Sequence, residues 1–467
     1  MSIVSHNLKT DYSDEMIQNN DLNRSVDSFI SKFEVVKHLY RCGAGKARGV
    51  AISVIFTYLL KLVFMNKSMY MQMHQGKFTE AFSKNAVYRF LDNPKANWQK
   101  YTIELSADII NNMLRDLTSK ERRDAFVVDD SLFERTSCKK TELGSRVFDH
   151  VSMKYRKGYR LMTLGWTDGN TFLPVNSSLL ASSKESNLIG PIVDFDGRSL
   201  ATRRRKLARM KGTDVMIELL KTAQSAGHKA DYVLFDTWFS SPAQLLAVKA
   251  LGLDSIAMIK KSSRIYYEYE GEQLSINKIF GISKKRRGRS KYLLSVNVMI
   301  GKDQKIPAKI VCVRNKKNKK DWIAFICTNP DLSEEEIIRI YGKRWQIEVF
   351  FKTCKSFLQL ITECHSLSYD ALTAHVAIVF TRYLMIAMEQ RRCEDDRTLG
   401  EIFFFFTDEL TDITFGESFQ IIITAMIDSV CAIFQPTEEQ LALFIDMFVG
   451  RLPDYIRNSL TKAVLTA

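Results

Sequence analysis

The spacing of apolar and polar positions divides the chain into three kinds of segment. From about residue 25 to 118, apolar residues recur at helical spacing, and Asn93-Pro94 interrupts this pattern. The next part of the chain has short apolar runs that predict strands: Ala125 to Val128, Arg160 to Gly165, Thr171 to Leu180 and Tyr232 to Phe235. After residue 333 the helical spacing returns and continues to the end. The pattern therefore predicts an α/β core between two helical regions.

A second group of strands lies between Leu253 and Asn329, with strongly basic connections. Its predicted strands are Arg264 to Tyr269, Tyr292 to Ile300 and Ile306 to Val313. In the first group, Asp168-Gly169-Asn170 separates two runs in the way that is typical of a β-hairpin turn. We therefore expect the second group to form a separate β-rich block.

Composition and charge narrow the class of protein. Hydrophobic residues make up 46% of the 467 residues and charged residues 26%, which excludes wholesale disorder. Lys and Arg number 67 against 53 Asp and Glu, and the resulting charge of +14 favours a polyanionic partner. The eight cysteines form no CxxC pair, so we expect reduced thiols and neither a disulfide framework nor a zinc site. The N-terminus resembles no secretory signal, and the most apolar window, Ala51 to Phe64, is too short to span a membrane.

Acidic residues follow two of the predicted strands. Asp129 and Asp130 come after Val128, and Asp236 comes after Phe235. Sites in open α/β sheets form at the carboxyl ends of strands, so these aspartates could converge if the two strands are neighbours. An Asp after a strand also serves as a turn former or helix cap, and each aspartate alone is weak support for a site.

A predicted helix further along the chain presents polar residues on one side. Asp331 and Ser333, followed by three glutamates, mark its start. At about 100° per residue, four polar side chains share an arc of roughly 60°: Tyr341, Arg344, Glu348 and Lys355. The opposite side is apolar and predicts a buried face. A solvated stripe with an ordinary Arg344–Glu348 pair is the alternative interpretation.

Together the three acidic positions predict a metal site. Two divalent cations about 3.5–4 Å apart can activate an attacking hydroxyl and stabilise the leaving oxygen of a phosphodiester, and such cations prefer carboxylate ligands. Asp129 or Asp130, Asp236 and Glu348 would supply these ligands. Cations on the glutamate's side of the helix could hold the phosphates of the strand being cut: Arg344, Lys352 and Lys355. Tyr341 offers a hydroxyl to the same strand, and Trp345 could stack on a displaced base.

The chain resembles the DDE transposases of family four of the bacterial insertion sequences. The spacing Tyr341-x2-Arg344-x3-Glu348-x6-Lys355 matches the signature of that family at all four positions. The segments Phe235 to Pro242 and Val127 to Ser131 look like those around its second and first catalytic aspartates. The resemblance covers about residues 120 to 365. It implies that Asp236 and Glu348 are catalytic metal ligands, with Asp129 favoured as the first aspartate and Asp130 as the alternative.

The resemblance also implies a fold and its divisions. We expect an α/β fold with a ribonuclease-H-like catalytic core, a β-rich insertion, and all-helical N- and C-terminal regions. The expected divisions are a helical DNA-binding domain at 1–118, core parts at 119–252 and 330–372, the basic insertion at 253–329, and a helical region that could serve dimerisation at 373–467.

The implied activity is cut-and-paste transposition of a DNA element through a hairpin intermediate. The cofactor would be Mg²⁺ or Mn²⁺, with two ions per active site. The implied partners are double-stranded DNA, as terminal inverted repeats and as target, and a second copy of the chain in the DNA complex. We expect a bacterial cytoplasmic, nucleoid-associated protein without membrane contact. A decayed end-binding protein and a structure-selective nuclease of the same fold are the alternatives.

Basic runs outside the signature are further candidates for DNA contact. One run precedes the second aspartate, and the other lies in the β-rich block. The candidates are Arg203, Arg204, Arg205, Lys284, Lys285, Arg286, Arg287 and Arg289. Solvated loops or helix faces are the alternative interpretation of such runs.

Overall fold

A computed structural model describes most of the chain. The described residues are 26–46, 48–63, 68–74, 76, 78–118, 122–149, 152–286, 290–315, 318, 321–391, 431 and 434–450. They fall into two compact units, divided after residue 396. In the second unit the described part includes helix α13, Glu438–Gly450. The prediction of a helical region at 373–467 lies largely outside the described residues.

The described residues before 118 form helices. They are α1 (Val35–Arg41), α2 (Ile52–Leu62), α3 (Met69–His74), α4 (Lys84–Leu91) and α5 (Trp98–Ile109), which a π-helical turn extends to Leu114. Their apolar sides form one core with the sheet described next. The apolar window at Ala51 to Phe64, expected as a buried helix, contains α2.

One mixed sheet of eleven strands forms the centre of the first unit. Its strands are β1 (Ala125–Glu134), β2 (Ser145–Asp149), β3 (Lys154–Thr167), β4 (Phe172–Leu180), β5 (Tyr232–Phe235), β6 (Asp254–Ile259), β7 (Tyr266–Tyr269), β8 (Glu272–Ser275), β9 (Tyr292–Ile300), β10 (Ile306–Arg314) and β11 (Trp322–Cys327). Their order is β2-β3-β1-β5-β6-β11-β10-β9-β7-β8, and β4 also pairs with β3. The predicted hairpin is confirmed, because the turn at Asp168 to Asn170 joins the antiparallel strands β3 and β4.

The β-rich block is part of this sheet. Strand β11 pairs antiparallel with β6, so backbone pairing connects the core strands to β10 and β9, with one shift of register at Cys312 and Val313. The expectation of a separate block is corrected here. Because the edge of β6 would otherwise expose unpaired N–H and C=O groups, pairing with β11 satisfies them.

The remaining helices cover the two faces of the sheet. They are α6 (Leu200–Ala208), α7 (Gly212–Ser225), α8 (Pro242–Ala250), α9 (Ile276–Ile282), α10 (Glu334–Gly342), α11 (Trp345–Ser356) and α12 (Tyr369–Gln390). One core includes apolar residues of α7 and α8, and the other includes those of α10 and α11. Successive residues of β1 point alternately to the two cores: Phe126 and Val128 to the first, Ala125 and Val127 to the second. This alternation determines on which side of the sheet each acidic residue of β1 lies.

Helix α12 is long and apolar. By length and composition Tyr369–Met388 could cross a membrane, but 83% of its most apolar window is buried inside the protein. Its residues pack in both cores. We therefore interpret α12 as a core helix.

Candidate active site

Asp129 lies within β1, and Asp236 directly follows β5, the parallel strand beside it. Strand β1 pairs with β5 in the register Val127 to Leu234, so the same register continued by two residues sets Asp129 beside Asp236. Both residues share the side of their strands with the core that includes α10 and α11, because Val127 and Leu234 belong to that core. The predicted convergence of two strand-borne aspartates is therefore present in the structure.

The position of Asp129 within its strand differs from the prediction. Strand β1 does not end at Val128 but continues to Glu134, because β3 pairs with it along its whole length. Strand β5 does end at Phe235, so the neighbour on the other side of β1 stops there. Asp129 consequently lies within β1, at a level where no strand pairs with β1 on the β5 side.

Asp130 points to the other side of the sheet. Its carboxylate accepts two hydrogen bonds from the Arg160 guanidinium, each 2.5 Å long. This bidentate pair satisfies Asp130 on the side away from Asp236. The geometry therefore favours Asp129, and not Asp130, as the partner of Asp236.

The third carboxylate is joined to Asp129 through Arg344. Arg344 Nη1 donates to Asp129 Oδ2 at 3.1 Å, and Arg344 Nη2 donates to Glu348 Oε1. The side chains of Asp129 and Arg344 are largely buried, whereas Glu348 is about one-third exposed. One guanidinium thus holds two of the three predicted ligands together.

The predicted single helix is two helices. Ser333 caps α10 with a capping box to Glu336, which confirms the predicted start. The chain then leaves the helix at Lys343 and Arg344, where the N–H of Arg344 donates to the carbonyl of Tyr341 at 2.9 Å in a tighter, three-residue turn. The angles calculated for one continuous helix do not apply across this junction, although Arg344 still lies over the Tyr341 ring at 5.8 Å.

Two side chains that the sequence analysis did not select hold the α10–α11 junction to the β3–β4 turn. Lys343 is buried and its Nζ donates to the carbonyls of Asp168, at 3.1 Å, and Arg123. Gln346 Nε2 donates to the carbonyl of Gly169 at 3.0 Å, and Gln346 Oε1 accepts from the Thr167 hydroxyl. These contacts fix the chain on both sides of Arg344. No spacing in the sequence links residues 167–169 to residues 343–346, so the anchoring role of Lys343 and Gln346 could not be predicted from the sequence.

Burial and neighbouring charge perturb Asp129. Burial raises the pKa of its carboxyl group to about 7, and the charges of Asp236 and Asp130 act in the same direction, while Arg344 opposes them. An influence of Asp236 on this pKa is expected only if the two carboxyl groups are close. Asp236 itself accepts a hydrogen bond from the backbone N–H of Trp238 at 2.9 Å.

Two polar atoms beside these carboxylates are buried next to each other. They are the Tyr341 hydroxyl and Nε of Arg344, and the Tyr341 hydroxyl interacts with the Arg344 side chain. Both can donate a hydrogen bond. Buried donors are normally satisfied, so this pair is suited to an anion such as a phosphate oxygen.

The three carboxylates fit a divalent cation by their chemistry. Asp129, Asp236 and Glu348 offer the oxygen ligands that Mg²⁺ and Mn²⁺ prefer. Within the described ranges, no group of three or more acidic, His or Cys side chains is arranged to hold a metal ion. The Arg344 guanidinium lies between Asp129 and Glu348, which supplies positive charge where the ligands would otherwise repel.

The remaining candidates for DNA contact near the signature lie along α11. Lys352 and Trp345 are exposed, the latter by 38%. Burial is the main cause that lowers the pKa of Lys355, in the last turn, and the charge of Arg160 lowers it further. The charges of Asp149 and Glu134 raise it. Trp238, two residues after Asp236, is 60% exposed. The sequence analysis did not predict it as a site residue, because it used the segment Phe235 to Pro242 only to locate the aspartate.

Arg204 and Arg205 occupy a different environment from the one predicted. Both are buried in α6, where Arg204 pairs with Asp370, and Arg205 pairs with Glu142 at 2.5 Å and with Asp370 at 3.0 Å. Their guanidinium groups are already neutralised and are inaccessible to a DNA backbone. The prediction that they contact DNA is therefore corrected, while Arg203, the preceding residue, is exposed.

The basic run of the insertion is only partly described. Lys284 is exposed, Lys285 lies 5.1 Å from the Phe280 ring centroid, and Arg286 forms a bidentate pair with Glu334 at 2.5 and 2.6 Å. That pair ties the run to the start of α10. The candidates Arg287 and Arg289 lie outside the described residues.

Comparison with known proteins gives two overlapping family matches. Residues 57–280 match the model described as DDE superfamily endonuclease, and residues 192–385 match the model described as transposase DDE domain. The matches support a DDE transposase. Asp129 falls in the first match, Glu348 in the second and Asp236 in both. A comparison with curated proteins gave no match.

The mixed α/β architecture around one large sheet fits the DDE, ribonuclease-H-like superfamily. A DDE transposase acts on DNA, and DDE domains generally use divalent metal ions. The acidic cluster described above therefore lies within the matched regions and has the ligand chemistry that this class needs.

Proposed function

We propose that this protein cuts DNA and joins DNA strands at the ends of a mobile element, with Asp129, Asp236 and Glu348 as its catalytic carboxylates. One observation carries the proposal: Asp129 lies within β1, Asp236 directly follows the neighbouring parallel strand β5, and Arg344 joins Asp129 to Glu348. Asp129 is thus linked to each of the other two acidic residues, beside basic and hydroxyl donors.

The three carboxylates would hold the divalent metal ions. Bound there, Mg²⁺ or Mn²⁺ supplies Lewis-acid stabilisation of the phosphodiester and lowers the pKa of an attacking hydroxyl group. Two ions per active site are part of this proposal. Asp236 is oriented for such a role by its hydrogen bond from the Trp238 backbone.

The chain's own donors would hold the DNA strand. Arg344 Nε and the Tyr341 hydroxyl are buried donors beside the carboxylates, and a phosphate oxygen could accept from both. Lys352 and Lys355 extend the positive charge along α11, and the exposed Trp345 offers a ring for an unstacked base. Burial of Asp129 and Arg344 keeps water away from the reacting phosphate.

Finer features of the proposal rest on the signature. They are membership of family four of the bacterial insertion sequences, terminal inverted repeats as the recognised DNA, a hairpin intermediate, and a homodimer that holds two ends. Action in the bacterial cytoplasm at the nucleoid belongs to the same proposal. Each is an expectation about the DNA complex.

The decisive experiment incubates the purified full chain and Mg²⁺ with duplexes that carry the ends of its own element. We expect nicks at the element boundary, then hairpins and joined products. Asp236→Asn and Glu348→Gln should abolish these products while DNA binding persists. Cleavage by both variants at the wild-type rate would remove the two residues from the active site.

A nuclease that cuts without strand transfer is the second candidate. The match to a DDE superfamily endonuclease favours it. Hydrolysis and strand transfer use the same carboxylates, so the products distinguish them. Nicked DNA without joined products, in reactions that contain a target plasmid, would favour the nuclease.

A further inference from the structure

A two-stranded ribbon extends from the edge of the sheet on the side of the carboxylates. Strand β2 pairs with the first five residues of β3, Lys154 to Gly158, and β1 has ended at the level of Gly158. Thr163 of β3 lies opposite Asp129, and Lys157, which is part of the ribbon, precedes Thr163 by six residues. Arg160 Nη1 donates to the carbonyl of Phe148 at 3.1 Å, although Phe148 pairs with Tyr155, five residues from Arg160, so the ribbon bends back towards this part of β3.

One side of this ribbon is basic and aromatic. The ladder sets Arg146 opposite Lys157 and Phe148 opposite Tyr155, so the four side chains share one side. We call these four residues the basic ribbon. Arg146 and Lys157 are exposed, and Tyr155 is exposed by 66% and packs edge-on against Phe148 at 5.4 Å. By alternation along β3, this is also the side on which Thr163 lies.

The cross-strand pair of two cations is unfavourable in the protein alone. Like charges directly opposite each other destabilise an antiparallel pair. An anion bound between Arg146 and Lys157 would offset this repulsion. Lys139 and Lys140, just before β2, are exposed and add to the positive charge. The arrangement therefore favours a ligand with several negative charges along its length.

Positive charge also connects the ribbon to the active site. Lys355, in the last turn of α11, is close enough to Arg160, Glu134 and Asp149 for their charges to act on it. Glu134 ends β1 at the base of the ribbon, and Asp149 ends β2 at its tip, so the last turn of α11 lies alongside the ribbon. Lys355 thus adds positive charge between Arg344 of the candidate site and the basic ribbon.

We propose that the basic ribbon binds the phosphate backbone of duplex DNA on the side of the sheet where Asp129 lies. The inference rests on the proposed function and adds a contact surface to it. Arg146 and Lys157 neutralise phosphates, while the Tyr155 and Phe148 rings hold the two strands of the ribbon in position. Because the contact is to the backbone, it orients the duplex without reading its sequence.

The test measures the salt dependence of binding, since each neutralised phosphate contributes about 0.9 to the slope of log K against log salt. Fluorescence anisotropy would follow a labelled 30-base-pair duplex of random sequence between about 50 and 200 mM salt. For Arg146→Gln/Lys157→Gln we expect the slope to fall by about 1.8 and affinity at about 0.1 M salt to fall ten- to a hundredfold. Arg146→Lys/Lys157→Arg should keep the wild-type slope.

The matched control is Lys221→Gln/Lys229→Gln, which removes the same charge. Lys221 is exposed on α7, and Lys229 is exposed just before β5 begins, at the opposite edge of the sheet from Asp236. Circular dichroism would verify that each variant is folded. An unchanged slope in the ribbon variant, or an equal fall in the control, would overturn the inference. Wild-type protein that binds no duplex at all would overturn the proposed function as well.

Discussion

Arg344 Nη1 donates a hydrogen bond to Asp129 Oδ2 at 3.1 Å, although 215 residues separate them in the chain. The second Nη atom of the same guanidinium donates to Glu348. A cation of the protein therefore lies between two carboxylates that the proposed function assigns to metal ions. Metal and Arg344 compete for Asp129 and Glu348, and a DNA phosphate competes with these carboxylates for Arg344.

This competition predicts the behaviour of Arg344→Gln. The variant should bind Mn²⁺ more tightly than wild type when no DNA is present, by about three- to tenfold, because the competing cation is removed. It should bind duplex DNA more weakly. Calorimetric titration with Mn²⁺ and anisotropy with DNA measure the two effects. Arg286→Gln, which removes a comparable Arg–Glu pair at the surface, should leave Mn²⁺ binding unchanged.

The choice between the two adjacent aspartates can be tested directly. Asp129→Asn should lower cleavage at least a hundredfold, because Asp129 is beside Asp236. Asp130→Asn should retain more activity but unfold at a lower denaturant concentration, since Arg160 loses its bidentate partner. Single-turnover cleavage and urea unfolding provide the measurements. The reverse ranking of the two cleavage rates would identify Asp130 as the first catalytic aspartate.

The raised pKa of Asp129 predicts how stability depends on pH. In the folded protein this pKa is about 7, above its ordinary value of 3.8, so the folded state holds the proton more tightly than the unfolded state. The contribution of Asp129 to stability is therefore greatest below about pH 4 and declines as pH rises through 7. Asp129→Asn should increase the free energy of unfolding at pH 8 by ~1–3 kcal/mol relative to its effect at pH 4. Urea unfolding in EDTA measures this difference, and equal effects at both pH values would contradict it.

The contacts of Gln346 predict a positioning role. Gln346→Leu removes the hydrogen bonds to Thr167 and Gly169, each worth about 1 kcal/mol. We expect the cleavage rate at saturating DNA to fall about tenfold while DNA affinity changes little, because Arg344 and Glu348 remain but lose their orientation. Gln273→Leu, at an exposed position in β8, is the control. A variant that loses DNA affinity as much as rate would indicate a direct DNA contact instead.

The buried arginines of α6 predict a stability effect without a DNA effect. Arg205→Met leaves Glu142 and Asp370 without one of their cations and should lower the free energy of unfolding by about 3–5 kcal/mol. The salt slope of DNA binding should stay at the wild-type value at temperatures where the variant is folded. Arg203→Met, at the exposed position beside it, should have the smaller effect on stability.

Local patterns in the sequence were sufficient for several elements. Strands β5 and β9 have the predicted bounds, because short apolar runs end at turn-forming residues. The Ser333 capping box is likewise a local signal. The extension of β1 past Asp129 depends on pairing with β3, and the burial of Arg205 depends on Asp370, which is 165 residues away. Such partners are set by tertiary structure and leave no local pattern.

The same contrast between local patterns and tertiary partners explains which parts of the site could be predicted from the sequence. Asp236 and Glu348 follow from a strand end and a helix spacing, and the signature adds Tyr341 and Arg344. The anchoring of Lys343 and Gln346 requires that the β3–β4 turn meet the α10–α11 junction, which only the folded chain defines. The choice between Asp129 and Asp130 depends on which side of β1 each residue occupies, and that side follows from tertiary pairing: Asp130 pairs with Arg160 on the side away from Asp236.

The pairing of strands from β6 through β11 to β10 and β9 has a mechanical consequence. A continuous sheet has no joint at which the strands of the insertion could swing relative to β1 and β5. A duplex that reaches both Lys284 and the carboxylates must therefore adapt its own shape. Stiff A-tracts between those points should weaken complex formation, whereas a TA or CA step, which kinks easily, should strengthen it.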